Sequence, residues 1–123
     1  MNVVDSSAWL EYFANGPNAD SFVEPIEATG ELIVPVIGLY EVFKRVLQQR
    51  DEGAALQAVA LMQQGLVVEL TSSIALSAAR IGAEKHLPLA DSIIYATARD
   101  RDATLWTQDA DFEGLPGVRY FPK

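Results

Sequence analysis

Short runs of consecutive apolar residues alternate along the chain with longer stretches whose apolar positions recur every three or four residues. The short runs are "NVVD" (Asn2 to Asp5), "ELIVP", "LVVEL", "ATLWT" and "VRYF". They are too brief for helices and read as buried strands. The first helical stretch, "SSAWLEYFAN", has Ser6 or Ser7 placed to cap it and keeps Trp9, Leu10 and Phe13 on one side. After the turn "NGPN" come "ADSFVEPIEA" and "VIGLYEVFKRVLQQR", where Val36, Leu39, Tyr40, Phe43 and Leu47 form an apolar stripe. "DEGAALQAVALMQQG", closed by Gly65, "TSSIALSAARIGAEKH", with Thr71 as cap, and "LPLADSIIYATARDRD" complete the helices, and "QDADFEGLPG" reads as a loop or short helical turn.

Strands separated by helices imply parallel pairing, because a parallel connection needs a crossover, and crossovers place helices on the faces of the sheet. The expectation is an α/β fold in one domain over residues 1–123, with a central parallel sheet of four to five short strands flanked by helices on both faces. A chain of this size buries a core without staples. It shows no internal repeat, linker or low-complexity segment.

With 50% hydrophobic and 21% charged residues the chain is ordinary for a globular protein. Having no cysteine, it can build neither a disulfide framework nor a thiolate metal site. No apolar run is long enough to cross a membrane, and "MNVVDSSAWLEYF" has no basic region ahead of its apolar residues, so a cytoplasmic protein without a membrane partner is expected. Charge is the awkward feature. Nine Lys/Arg against seventeen Asp/Glu give a formal net charge of −8, the wrong sign for holding nucleic acid by the overall field. Either the acids are a solubilising surface, or some gather where a cation reverses the local sign.

In parallel α/β sheets ligands bind beyond the carboxyl ends of the strands. Asp5 ends the first strand, and Asp109 follows the fourth in "LWTQDADF". Asp91 opens the last helix, and Glu41 sits within a helix among Leu39, Tyr40, Val42 and Phe43. If these four converge, their repulsion calls for a cation, and a hard divalent ion such as Mg²⁺ suits an all-oxygen set. No His-rich or Cys-containing set favours zinc. A metal beside a phosphodiester activates water and neutralises the developing charge. Each residue also has a plainer reading. Asp5 and Asp91 suit helix caps, Asp109 and Asp111 suit turns, Glu41 suits a pair with Lys44 or Arg45, and Ser7 and Thr107 suit bonds to nearby backbone. His86 reads as a cap or surface residue, and Trp9 and Trp106 as core.

Four segments, "NVVDSSAWLEYF", the acid of "GLYEVFKRVL", "LPLADSIIYATA" and "TLWTQDADF", occur in an order that resembles the PIN domain, in particular the VapC toxins of toxin–antitoxin pairs. The likeness spans nearly the whole chain. It implies a Mg²⁺- or Mn²⁺-dependent endoribonuclease that cuts structured RNA, often transfer or ribosomal RNA, and is held inactive by a cognate antitoxin. By the same resemblance Asp5, Glu41, Asp91 and Asp109 are the catalytic and metal-holding acids, Ser7 and Thr107 support them, and Asp111 is the second acid of the "D-x-D-F" segment. A homodimer is implied too, as is an antitoxin seated on an apolar groove, for which "SSAWLEYF" and "VIGLYEVF" offer faces. Lys44, Arg45, Arg80 and Arg99 are the basic candidates for RNA contact.

Two other phosphate chemistries fit less well. A phosphoacceptor receiver domain wants paired acids at the first strand, an Asp ending the third and a late Lys, whereas here Ser6 and Ser7 follow Asp5 and "LVVEL" ends without Asp. An aspartate-nucleophile phosphatase wants a second Asp where Ser7 stands. The remaining alternative is a catalytically silent PIN-like module that binds metal or a protein partner.

Overall fold

In a computed structural model describing Met1–Lys123, the first strand, β1 (Asn2–Val4), lies at the centre of a five-stranded sheet. The chain continues through α1 (Ser6–Ala14), α2 (Ala19–Glu27), β2 (Leu32–Pro35), α3 (Val36–Gln49), α4 (Glu52–Met62) and β3 (Leu66–Val68). It then forms α5 (Ser72–Lys85), α6 (Leu89–Asp100), β4 (Thr104–Thr107) and β5 (Val118–Tyr120). Every pairing is parallel, in the order β3-β2-β1-β4-β5, as the strand–helix alternation predicts. The chain winds outward from β1 to β3, then returns through α5 and α6 to add β4 and β5 on the other side. The direction of winding reverses between β1 and β4, which opens a crevice at their carboxyl ends. Val4 pairs with Trp106, so Asp5 leaves β1 level with Thr107, the last residue of β4.

Successive side chains on each strand face opposite ways. Val3, Ile33 and Leu105 pack toward α5 and α6, against Ile74, Ala78 and Ile94. Val4, Leu32, Val34 and Trp106 pack toward α1 to α4, against Trp9, Phe22, Val42 and Met62. Both faces are covered, which is why the strands read as continuous apolar runs rather than alternating ones. By the same parity Asp5 and Thr107 belong to the face that α6 covers.

Helix α6 is the most enclosed element, with every residue from Ser92 to Ala98 buried. Two of its three hydroxyls in that run bond to its own backbone, Ser92 Oγ to Leu89 O at 2.7 Å and Thr97 Oγ1 to Ile93 O at 2.8 Å, and Tyr95 OH donates to Pro116 O at 2.7 Å. Nothing polar is therefore left unpaired. Gly82 on α5 lets the two helices approach, since a Cβ there would lie 3.3 Å from Ser92 Cβ.

Helix α3 has the expected helical spacing, and its packing adds which side faces inward. Its buried residues are Gly38, Val42 and Val46, whereas Tyr40 and Leu47 of the expected stripe are 59% and 43% exposed. Two apolar stripes run side by side on this helix, and the one with glycine at its head turns inward against Met62. This rotation points Ile37 into the α6-side core and carries Glu41, one turn on, in the same direction. The helix starts also sort differently from expectation in one case. Thr71 does cap α5, accepting from Ile74 N at 3.2 Å, but the cap position of α1 is Asp5, and the hydroxyls of Ser6 and Ser7 are used elsewhere.

Leu105 is fully buried in the central layer beneath α6. Leu105→Ala is expected to lower unfolding free energy by about 2–5 kcal/mol in urea denaturation, the cost of a core cavity.

Candidate active site

The carboxyl ends of β1 and β4, the start of α6 and the inward side of α3 meet at the switch point. Asp5 is 2% exposed. Its Oδ2 accepts from Ser7 Oγ at 2.5 Å and from Thr107 Oγ1 at 2.9 Å. Thr107 Oγ1 in turn accepts from Asp109 N at 2.9 Å, tying the segment after β4 to the end of β1. Asp109 Oδ1 accepts from Asp111 N, also at 2.9 Å, capping a 3₁₀ turn over Ala110–Phe112. Glu41 Oε1 accepts from Ser6 Oγ at 2.6 Å.

These bonds separate the plainer readings from the chemical ones. Asp5 occupies the cap position of α1 but its side chain makes no cap bond. Pro88, not Asp91, holds the cap position of α6, and no side chain caps that helix. Glu41 takes its hydrogen bond from Ser6 rather than from Lys44 or Arg45. Only Asp109 is used as a turn former.

Carboxylate oxygens of Asp91, Asp109 and Asp111 all lie within 4.8 Å of one another. Asp5 and Glu41 stand close enough to act on this group electrostatically. Burial pushes the Asp91 carboxyl up to about 8, and the charges of Asp5, Asp109, Glu41 and Asp111 add to the rise. Burial likewise raises Asp5 to about 6, against the lowering effect of the Ser7 and Thr107 hydroxyls, with Asp109 and Glu41 contributing further repulsion. The charges of Glu41 and Asp109 thus reach both Asp5 and Asp91, and that of Asp111 reaches Asp91. The donor set fits a hard divalent cation: carboxylate oxygens alone, close enough for one ion and its waters, and in mutual repulsion.

Sequence reasoning missed two supports. Ser6 was read only as a cap, because a serine at a helix start carries the same signal whether it bonds backbone or a distant acid. Gln108 is buried; its Nε2 donates to Ser7 O at 3.4 Å and its Oε1 accepts from Asn18 Nδ2 at 3.1 Å, bracing the loop behind Asp5. Its only sequence signal is the polar run that follows β4.

The basic candidates spread more widely. Lys44 and Arg45 are exposed one turn beyond Glu41, with Lys44 Nζ 5.7 Å from the Tyr40 ring centroid. Arg80 is exposed on α5. Arg99 lies in the last turn of α6, its guanidinium filling the space a Cβ at Gly117 would need, roughly 12 Å along the helix from Asp91 at 1.5 Å per residue. His86 ends α5 in a left-handed conformation, and Trp9 and Trp106 are core residues at 1% and 5% exposure, all as read from the sequence.

The chain belongs to the PIN domain family, whose profile matches residues 3–118. Among solved structures it is similar to a toxin–antitoxin complex from Klebsiella pneumoniae, at 22% identity and a TM-score of 0.83 with both chains covered in full. It is also similar to VapC20 of Mycobacterium tuberculosis, described as a sarcin–ricin loop cleaving toxin, at 18% identity and a TM-score of 0.81 over 99% of this chain and 100% of that one. A DNA-bound VapBC from Salmonella typhimurium matches at 17% identity and a TM-score of 0.76, over 99% of this chain and 97% of that one. No curated protein sequence matches the chain. The family and these neighbours confirm the expected fold.

Raised carboxyl values make stability depend on pH. Between about 4 and 8 the unfolded chain has released the Asp91 proton while the folded protein keeps it, so the folded state binds more protons and loses stability as pH rises. Asp5 adds to the lower part of that window, up to about 6. In EDTA, Tm is expected to fall from pH 5 to pH 8.5, and Asp91→Asn to flatten the decline. At pH 8.5 the variant gains about 4 °C, the shift that ~1 kcal/mol gives a domain of this size; water screening at half-buried Asp91 keeps it below the full pKa displacement. Thermal unfolding followed by circular dichroism reads both.

Proposed function

We propose that this chain is a divalent-metal-dependent endoribonuclease acting as the toxin of a VapBC-type toxin–antitoxin pair. The observation that carries the reading is the gathering of Asp91, Asp109 and Asp111, coupled to Asp5 and Glu41, at the switch point of the sheet. Membership of the PIN family and likeness to VapC structures support it. Asp5, Glu41, Asp91 and Asp109 hold Mg²⁺ or Mn²⁺, with Asp111 as a further ligand, and Ser7 and Thr107 fix the Asp5 carboxylate. When bound, the metal supplies an activated water and neutralises charge on the phosphodiester.

The chain's own groups do the rest. Asp91, which keeps its proton to about 8 in the absence of a cation, gives it up on loading, so affinity for the ion rises with pH toward that value. Lys44, Arg45 and Arg80 contact backbone phosphates of a structured RNA such as transfer or ribosomal RNA, and binding weakens with salt. Arg99 sits far from the acids and contributes least. The cation also partly answers the formal charge of −8, because it offsets carboxylate charge where the phosphate would approach.

A cognate antitoxin has apolar surface to cover. A cleft of about 300 Å³ lies between α1, α3 and α4, lined by Leu10, Phe13, Val46 and Ala58 among others. The outward stripe of α3 forms a second groove with Val59, where Leu39, Tyr40, Phe43 and Leu47 are open to a partner. For a homodimer, Leu76 and Leu89, 68% and 79% exposed, make the α5–α6 side a natural contact. No helix is long and apolar enough to cross a membrane.

Purified, antitoxin-free protein is expected to cut transfer or ribosomal RNA with Mg²⁺ or Mn²⁺ and to stop in EDTA. Asp5→Asn, which preserves shape, should slow cutting more than about 100-fold, beyond what loss of an outer-shell partner costs. No cutting by folded, metal-loaded protein would replace this reading with the silent metal- or protein-binding module.

A further inference from the structure

We propose that Ser6 is a positioning residue, whose hydroxyl holds the Glu41 carboxylate in place to receive a divalent cation. The inference rests on the metal-binding reading above and extends it to a side chain outside the acid set. Ser6 is the first residue of α1 and only 7% exposed, and its Oγ donates to Glu41 Oε1 at 2.6 Å across 35 residues of sequence. The helix does not need this hydroxyl as a cap, since Asp5 occupies that position.

The acids differ in how they are held. Asp5 has two hydroxyl donors, and Asp109 is bonded to the turn that follows it. Glu41 reaches the cluster from α3 on a longer side chain with one more rotatable bond than Asp, so without a restraint it samples several rotamers. A Lys or Arg partner would fix it but cancel its charge. A neutral hydroxyl fixes it and leaves the charge intact, and it engages only Oε1, leaving Oε2 for another ligand. The dipeptide after Asp5 thus serves two acids from one helix turn: Ser7 bonds Asp5 and Ser6 bonds Glu41.

The test is Mn²⁺ binding by titration calorimetry, with circular dichroism confirming that each protein is folded. Ser6→Ala is expected to bind Mn²⁺ about tenfold more weakly, the low end of what orienting partners contribute. Ser6→Thr, which keeps the hydroxyl, should restore affinity. If Ser6 acts through Glu41, adding Ser6→Ala to a Glu41→Gln protein should cost nothing more. Wild-type affinity in Ser6→Ala overturns the assignment alone, as does an equal loss in both backgrounds. Absence of Mn²⁺ binding to the wild-type protein overturns the metal-binding reading and the Ser6 assignment with it.

Discussion

Crowding of like charge is the constraint on which the rest of the structure depends. Asp5, Glu41, Asp109 and Asp111 all act on Asp91, Glu41 and Asp109 act on Asp5, and burial rather than a basic partner is the largest influence on both. Such an arrangement survives only where the surrounding framework is strong enough to hold it. Here the framework is a parallel sheet packed on both faces, with two separate apolar cores meeting across it. The hydroxyls of Ser6, Ser7 and Thr107 then fix the carboxylates without removing their charge. Hydrogen bonding and repulsion therefore work in opposite directions on the same atoms, and neither alone explains why the acids stay together.

Much of this was legible in the sequence because two rules combine. Alternation of strands and helices dictates a parallel sheet, and a parallel sheet places its site at the strand ends, so Asp5 and Asp109 could be named from their positions. Asp91 and Glu41 were legible as acids in apolar company, which marks them as unusual without saying where they point. Direction was lost at α3, where two apolar stripes compete and only packing against Met62 decides between them. Ser6 was hidden for a different reason: its partner lies in another helix, and no local pattern reports a bond of that range. The approach of Asp111 to Asp91 and Asp109 depends on a short 3₁₀ turn whose geometry the residue string does not specify.

The two apolar stripes on α3 also show a division of labour within that helix. One side, Gly38, Val42 and Val46, builds the core; the next carries Ile37 and Glu41 toward the site; the third leaves Tyr40 and Leu47 outward, with Leu39 and Phe43 half-buried at its edge. A substitution is therefore felt as loss of fold, of chemistry or of association according to its angle around a single axis, and neighbouring positions in sequence have different consequences.

Helix α6 carries Asp91 at its mouth and is buried along almost its whole remaining length. A ligand mounted on a loop can loosen while its protein stays folded, but one mounted on a helix buried in the core is held as firmly as the core itself. Asp91 is therefore tied to the core, whereas Asp109 and Asp111 ride on the short 3₁₀ turn after β4. The half of the site that can be rearranged without unfolding the protein is the half on that turn.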